Sequence, residues 1–167
     1  MKPFGLSRRK VSLIAGLAVF LVSLIVEITS QSVKTSEEVA GAASGSPRVS
    51  RVIDGDTFEL EDGRKVRLIG INTPETDKCF GDQATENTKK ILEGQYVRLE
   101  KDVSETDKYG RLLRYAWVGD VFVNESLVRD GYAQVATYPP DVKFQEIFIS
   151  VQREARDNNR GLWLACR

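Results

Sequence analysis

The stretch Val49-Ser50-Arg51-Val52-Ile53-Asp54-Gly55-Asp56-Thr57-Phe58-Glu59-Leu60-Glu61-Asp62-Gly63-Arg64-Lys65-Val66-Arg67-Leu68-Ile69-Gly70-Ile71 decides the fold. It reads as three short strands separated by two acidic turns. Val49 to Ile53 and Thr57 to Leu60 are rich in β-branched and apolar residues, and Asp54-Gly55-Asp56 lies between them. Gly55 is expected to supply a positive φ at that turn, where its Asp neighbours are well tolerated. Glu61-Asp62-Gly63 is a second turn, of the Asp-Gly hairpin kind. Lys65 to Ile71 then forms a third strand, with Val66 and Leu68 on one face.

Reading onward from this unit, Asp82 to Leu92 is a helix. Tyr96 to Lys101 and Arg111 to Val118 are strands, the second followed by a Gly119-Asp120 turn. Asn124 is placed to cap a short helix that ends at Gly131. Phe144, Ile147, Phe148, Val151 and Ala155 recur at helical spacing, with Gly161 beyond them. The class is therefore mainly β with helices (α+β). About five strands with about three helices inserted and appended fit a small, closed or nearly closed five-stranded Greek-key barrel. Such barrels often bind oligonucleotides on one face.

Upstream the chain changes character. Lys2, Arg8, Arg9 and Lys10 precede an apolar run from Val11 to Val26. That order marks residues 1–26 as a signal peptide or a membrane-anchor helix. Residues 27–47, poor in large apolar groups and ending at Pro47, read as a flexible linker. Residues 48–167 are the folded domain. On either reading of the first segment this domain works outside the cytoplasm, secreted or tethered to the membrane.

Composition excludes several chemistries. The chain has 167 residues and no histidine. A Ser-His-Asp triad and a histidine-ligated zinc site are both ruled out. Of the 24 Lys/Arg and 24 Asp/Glu, five and three fall in residues 1–47, which leaves 19 against 21 for the domain. A slightly acidic domain does not coat DNA through bulk charge. It can still grip one phosphate locally. The two cysteines, Cys79 and Cys166, are far apart. Outside the cytosol such a pair reads as a disulfide, the alternative being two free thiols. Closing so long a loop stabilises by about 4 kcal/mol in the loop-entropy account.

Three acidic or basic segments remain to be explained: Val52-Ile53-Asp54-Gly55-Asp56-Thr57, Arg67-Leu68-Ile69-Gly70-Ile71-Asn72-Thr73-Pro74-Glu75, and Asp107-Lys108-Tyr109-Gly110-Arg111. Each alone is an ordinary polar turn or strand exit. Together they offer oxygen donors for a hard cation, planar guanidinium groups for a phosphate, and a carboxylate base where histidine is missing. Lys101, Asp102 and Asp130 read as surface charges. Trp117 and Trp163 read as packing residues, and the Glu86-Lys89-Lys90 set as a solvated helix face.

Residues 50 to 163 resemble the thermonuclease (staphylococcal-nuclease-like) family. The three segments above carry the resemblance, with Val123-Asn124-Glu125-Ser126-Leu127-Val128-Arg129-Asp130-Gly131-Tyr132-Ala133 and the closing Arg160-Gly161-Leu162-Trp163. The resemblance implies an OB-fold barrel, dependence on Ca2+, and cleavage of DNA and RNA on the 5′ side of the phosphodiester to leave a 3′-phosphate. It implies that Asp56 ligates calcium directly, that Asp54 acts on it largely through water, and that the Thr73 carbonyl faces the ion. Arg67 and Arg111 match the phosphate-binding arginines, and Glu75 the general base. Lys108 and Tyr109 match residues on the nucleotide's phosphate side, and Tyr138 matches a nucleotide-stacking tyrosine. The family's second ligating aspartate is replaced by Asn72. Its amide oxygen can still bind calcium, with one negative charge fewer. Single strands are the expected preferred substrate and a monomer the expected state. The membrane is an expected partner through the N-terminal segment if that segment is uncleaved. A catalytically weak nucleic-acid-binding module is the competing reading.

Overall fold

The structure is a computed structural model that describes residues 45–167. The signal or anchor run of residues 1–26 and nearly all of the linker lie outside the described residues. Ser46–Arg167 forms one compact unit.

Twelve elements follow in order: β1 (Val49–Asp54), β2 (Thr57–Leu60), β3 (Lys65–Leu68), β4 (Ile71–Asn72), α1 (Gly81–Leu92), β5 (Arg98–Glu100), β6 (Leu112–Val118), β7 (Val121–Phe122), α2 (Val123–Arg129), β8 (Gln134–Val135), α3 (Gln145–Asp157) and α4 (Leu162–Ala165). The fold is mixed α and β. Its main sheet has strand order β1-β2-β3-β6-β5, with β7 paired to β6. β1, β2 and β3 are antiparallel neighbours, as the opening stretch predicts, while β3 and β6 run parallel. β4 pairs separately with β8.

The two ends of that strand order meet. Arg48 bridges Tyr96, the Val49 amide donates to the Gln95 carbonyl at 2.9 Å, and the Val97 amide donates to the Pro47 carbonyl at 2.9 Å. Residues entering β1 are thereby joined to residues entering β5, which removes two open sheet edges. Register shifts between Val49 and Arg51 and between Val52 and Asp54 let β1 bend.

The core fills the inner face. Phe58, Val66, Leu68, Val97, Tyr115 and Ala116 are wholly buried, and α2 and α3 add Leu127, Val128 and Phe148. Each large apolar side chain so buried contributes about 1.5–3 kcal/mol, which outweighs the weak intrinsic preference of four-residue strands. Phe144 packs edge-on to Tyr115 at 4.6 Å, and Trp117 stacks on Phe122 at 4.4 Å. The tryptophan is half-buried packing, as expected.

Four corrections concern local detail. There are four helices among the described residues rather than about three, the fourth being the single turn Leu162–Ala165. Asn124 does not cap α2; it lies inside the helix, fully buried. Its amide donates to the Ile69 carbonyl at 2.9 Å, and its oxygen accepts the Ala116 amide at 3.0 Å, so it crosslinks helix and sheet. Ile147 is 44% exposed despite its place in the apolar pattern. Asp102 is not a plain surface charge, since it accepts the Tyr115 hydroxyl at 3.0 Å and the Lys143 amide at 2.8 Å.

Candidate active site

The β1–β2 turn is pinned from two sides. The Thr88 hydroxyl of α1 donates to the Gly55 carbonyl at 2.7 Å, and the Asp56 amide donates to Asp54 Oδ1 at 3.0 Å. Gly55 does not have a positive φ here. Glycine is required because a Cβ would fall 2.5 Å from Thr73 Oγ1. The turn and the residue after Asn72 are thus pressed together.

Asp56 is the buried centre of this contact, 6% exposed. Its Oδ2 accepts the Thr73 amide at 2.8 Å and faces Arg67 Nη2 at 3.0 Å. Burial pushes the Asp56 carboxyl up to about 6; the Arg67 charge and the Thr73 amide pull it down, and the neighbouring Asp54 charge adds to the rise.

Arg67 stands on β3 opposite Thr57. Its guanidinium also donates to the Ile71 carbonyl at 3.1 Å, to Asn72 Oδ1 at 3.0 Å and to the Leu68 carbonyl. Held from four directions, it is fixed in place. Arg111, just ahead of β6, is held differently. Its Nε donates to Asp107 Oδ2 at 2.7 Å and its Nη1 to Thr57 Oγ1 at 3.2 Å. Thr57 Oγ1 in turn lies 3.4 Å from Asp56 Oδ1. One hydroxyl therefore sits between the buried carboxylate and the second guanidinium.

Asp107 and Thr57 are site-building residues that sequence reasoning did not single out. Asp107 Oδ1 accepts the Tyr109 amide at 2.9 Å and the Arg111 amide at 3.0 Å. Partial burial opposes its ionisation, but the bonds from the Arg111 side chain and from these two amides prevail and hold its carboxyl below the usual range. The signal was present in the four-residue spacing of Asp107 and Arg111. The partnership of Thr57 with Arg111 spans 54 residues and left no local signal.

Arg67, Arg111, Lys108, Tyr109 and Tyr138 line a common cavity of about 590 Å³. Tyr109 and Tyr138 are 72% and 70% exposed. Lys108 Nζ and the Arg111 guanidinium lie 4.9 and 5.5 Å from the centre of the Tyr109 ring. Asn72, Thr73 and Glu75 line a second cavity of about 460 Å³, to which Tyr138 also belongs. Asp54 and Asp56 line neither; Asp56 reaches the two cavities through Thr73 and Arg67.

Glu75 is exposed, and its carboxylate makes no hydrogen bond or ion pair among the described residues. Its backbone is fixed, however. The Lys78 amide donates to the Glu75 carbonyl at 2.8 Å, and a Cβ on Gly81 would fall 1.9 Å from that oxygen. The same loop is anchored by a disulfide between Cys79 and Cys166, with Cα atoms 5.8 Å apart.

The oxygens near Asp56 suit a hard cation by their chemistry: two carboxylates, the Asn72 amide oxygen and the Thr73 carbonyl. The Thr73 carbonyl now accepts Asn72 Nδ2 at 3.2 Å, and Asn72 Oδ1 accepts Arg67, so a cation would share both. No cluster of three or more acidic or thiol ligands exists among the described residues. A cation here would therefore rely on neutral oxygens and water for most of its shell.

Two clamped arginines, a buried aspartate and an unpaired glutamate thus stand at or beside two open cavities. The family profile described as Staphylococcal nuclease homologue matches residues 65–165, and the chain belongs to that family. It is 42% identical over 139 residues to a thermonuclease of Staphylococcus intermedius, covering 78% of this chain and 81% of that protein. It is 37% identical over 160 residues to a thermonuclease of Staphylococcus hyicus, covering 90% and 95%. It is also 36% identical over 126 residues to the Bacillus subtilis endonuclease YncB, covering 69% and 60%. The chain is a nuclease, a hydrolase that acts on nucleic acids.

Proposed function

We propose that this nuclease is a calcium-dependent, sugar-nonspecific endonuclease that cuts DNA and RNA with Glu75, Arg67 and Arg111 as its reacting residues. The observation that carries the reading is the chain Arg67–Asp56–Thr57–Arg111, which ties both guanidinium groups to one buried carboxylate. A phosphodiester gains negative charge as water attacks, and donors fixed in advance stabilise that charge without reorganising. Arg67 and Arg111 take the non-bridging oxygens. Glu75, unpaired and exposed to water, accepts the proton of the attacking water on the side opposite the departing oxygen. Calcium, held by Asp56, Asn72 and the Thr73 carbonyl with Asp54 acting through water, would offset charge on a phosphate oxygen. Tyr109, Lys108 and Tyr138 hold the nucleotide by stacking and by phosphate contact.

Sequence preference is low on this reading, since the lining offers phosphate and ring contacts and no array that reads base edges. Single strands are favoured because bases must be unstacked to lie on exposed tyrosines. The enzyme is a monomer and works outside the cytoplasm, secreted or tethered by residues 1–26. The disulfide supports that location.

The test is digestion of single-stranded DNA with calcium and with a chelator, by wild type, Glu75→Ala and Arg111→Ala. Each variant should lose orders of magnitude in rate with its fold intact. Full activity in chelator removes the calcium assignment, and wild-type rates in either variant remove that residue's role.

A further inference from the structure

We infer that the cavity beside Glu75 is a second nucleotide subsite and that Lys78 grips the phosphate there. This inference rests on the nuclease reading above. The two cavities adjoin. Tyr138 belongs to both, and the Arg67–Asn72 hydrogen bond of 3.0 Å joins a wall of one to a wall of the other. The groups that act on the scissile phosphate fall at this boundary: Arg67 on the first side, Asn72, Thr73 and Glu75 on the second. A polynucleotide cut there has a neighbour on each side, and the second cavity, of about 460 Å³, is where the neighbour on the Glu75 side goes.

Its lining is suited to that guest. Lys78 is the cation of the set, and Gln134, which pairs with Asn72 across β4 and β8, adds an amide that donates and accepts. The Lys78 ammonium has one ion partner, its sequence neighbour Asp77 at 2.8 Å, with side chains 67% and 71% exposed. So exposed a pair holds the ammonium weakly, which leaves it able to turn to a phosphate. The backbone of Lys78 is not loose. Its amide is bonded to the Glu75 carbonyl, the Gly81 amide donates to its own carbonyl at 3.0 Å, and the disulfide begins at the next residue. The turn that presents the base therefore presents the cation beside it. Lys78 is a positioning residue: it holds the flanking phosphate so that the scissile bond lies at the boundary.

The experiment compares a dinucleoside monophosphate, which has a scissile phosphate and no neighbour, with a single-stranded decanucleotide. Both are cut by wild type, Lys78→Ala and Lys78→Arg. Lys78→Ala should lower the decanucleotide-to-dinucleotide ratio of kcat/KM by about five- to tenfold, through KM, as expected for loss of one phosphate contact. Lys78→Arg should restore most of the ratio. The slope of log KM against log salt for the decanucleotide should fall by about 0.7 in Lys78→Ala, one single-strand phosphate contact. An unaltered ratio or an unaltered slope in a wild type that cuts both substrates overturns the subsite alone. A wild type that cuts neither substrate overturns the nuclease reading and the subsite with it.

Discussion

Arg67 Nη2 lies 3.0 Å from Asp56 Oδ2, with the two side chains only 14% and 8% exposed. Neither ion has much water to fall back on, so each depends on the other more than any surface pair does. Its other bonded Nη donors go to the Leu68 and Ile71 carbonyls and Asn72 Oδ1, while Nε makes no hydrogen bond among the described residues. The pair therefore positions the β3–β4 link and, on the proposed reading, a phosphate ligand as well.

Removing one partner should show this. Arg67→Ala leaves a buried carboxylate without its cation, and unfolding stability should drop by about 3–5 kcal/mol at pH 7. Adding Asp56→Ala should recover part of that loss, because the stranded charge disappears. Urea unfolding of both single variants and the double variant measures the coupling. Additive losses would show that the two residues do not stabilise one another.

The disulfide joins residues 87 apart, linking the Glu75 loop to the chain end. In the loop-entropy account, opening so long a loop lowers stability by about 4–5 kcal/mol. A Cys79→Ser/Cys166→Ser variant should unfold at correspondingly lower denaturant, and reduced wild type should match it. If the reduced protein unfolds at the oxidised midpoint, the crosslink contributes nothing.

The strand pattern and the site motifs were legible for the same physical reason. Hairpins and Asx-type turns are local; Asp54, Asp56, Glu75 and Arg111 sit in or beside turns or at strand ends, and Arg67 lies within the short strand β3. What was hidden is what tertiary contact decides. Asn124 has the residue type of a cap, but its buried amide answers Ala116 and Ile69, which come from elsewhere in the chain. Gly55 looked like a positive-φ glycine, while the approach of Thr73 is what excludes a side chain. Ile147 keeps helical spacing, yet no neighbour covers its part of α3. Thr57 reads as an ordinary strand residue until Arg111 arrives from across the sheet.

Asp141, which lines the first cavity, holds the loop at Val103 and Ser104. Its Oδ1 accepts the Val103 amide at 2.9 Å and the Ser104 amide at 2.8 Å. Burial opposes ionisation, but bonds from the Ser104 side chain and from both amides outweigh it, so the folded carboxyl lies below its usual range. The folded value is below the unfolded one. The resulting stability is therefore fully present above the ordinary Asp value of about 3.9 and is lost as pH falls through the lower, folded value. Wild type should exceed Asp141→Asn in stability at neutral pH, and the gap should close below about pH 4. Denaturation series at several pH values test it; a gap that widens on acidification would reverse the sign.

Asp107 should matter to turnover although it touches no substrate on this reading. It holds the Arg111 Nε at 2.7 Å and folds the turn that carries Lys108 and Tyr109 through two amides. In Asp107→Ala the guanidinium keeps one hydrogen bond, to Thr57 at 3.2 Å, and the turn loses its internal side-chain acceptor. Small misplacement of a transition-state donor is enough to lower kcat by about 10- to 100-fold. Asp107→Asn keeps an acceptor for the amides and loses the charge that fixes Arg111, so its kcat should fall by less. Stability should change little in either, because the ion pair is partly exposed, with side chains 27% and 17% open to solvent. Steady-state cleavage of single-stranded DNA beside thermal unfolding separates these effects. Wild-type kcat in Asp107→Ala would mean that Arg111 finds its place without help.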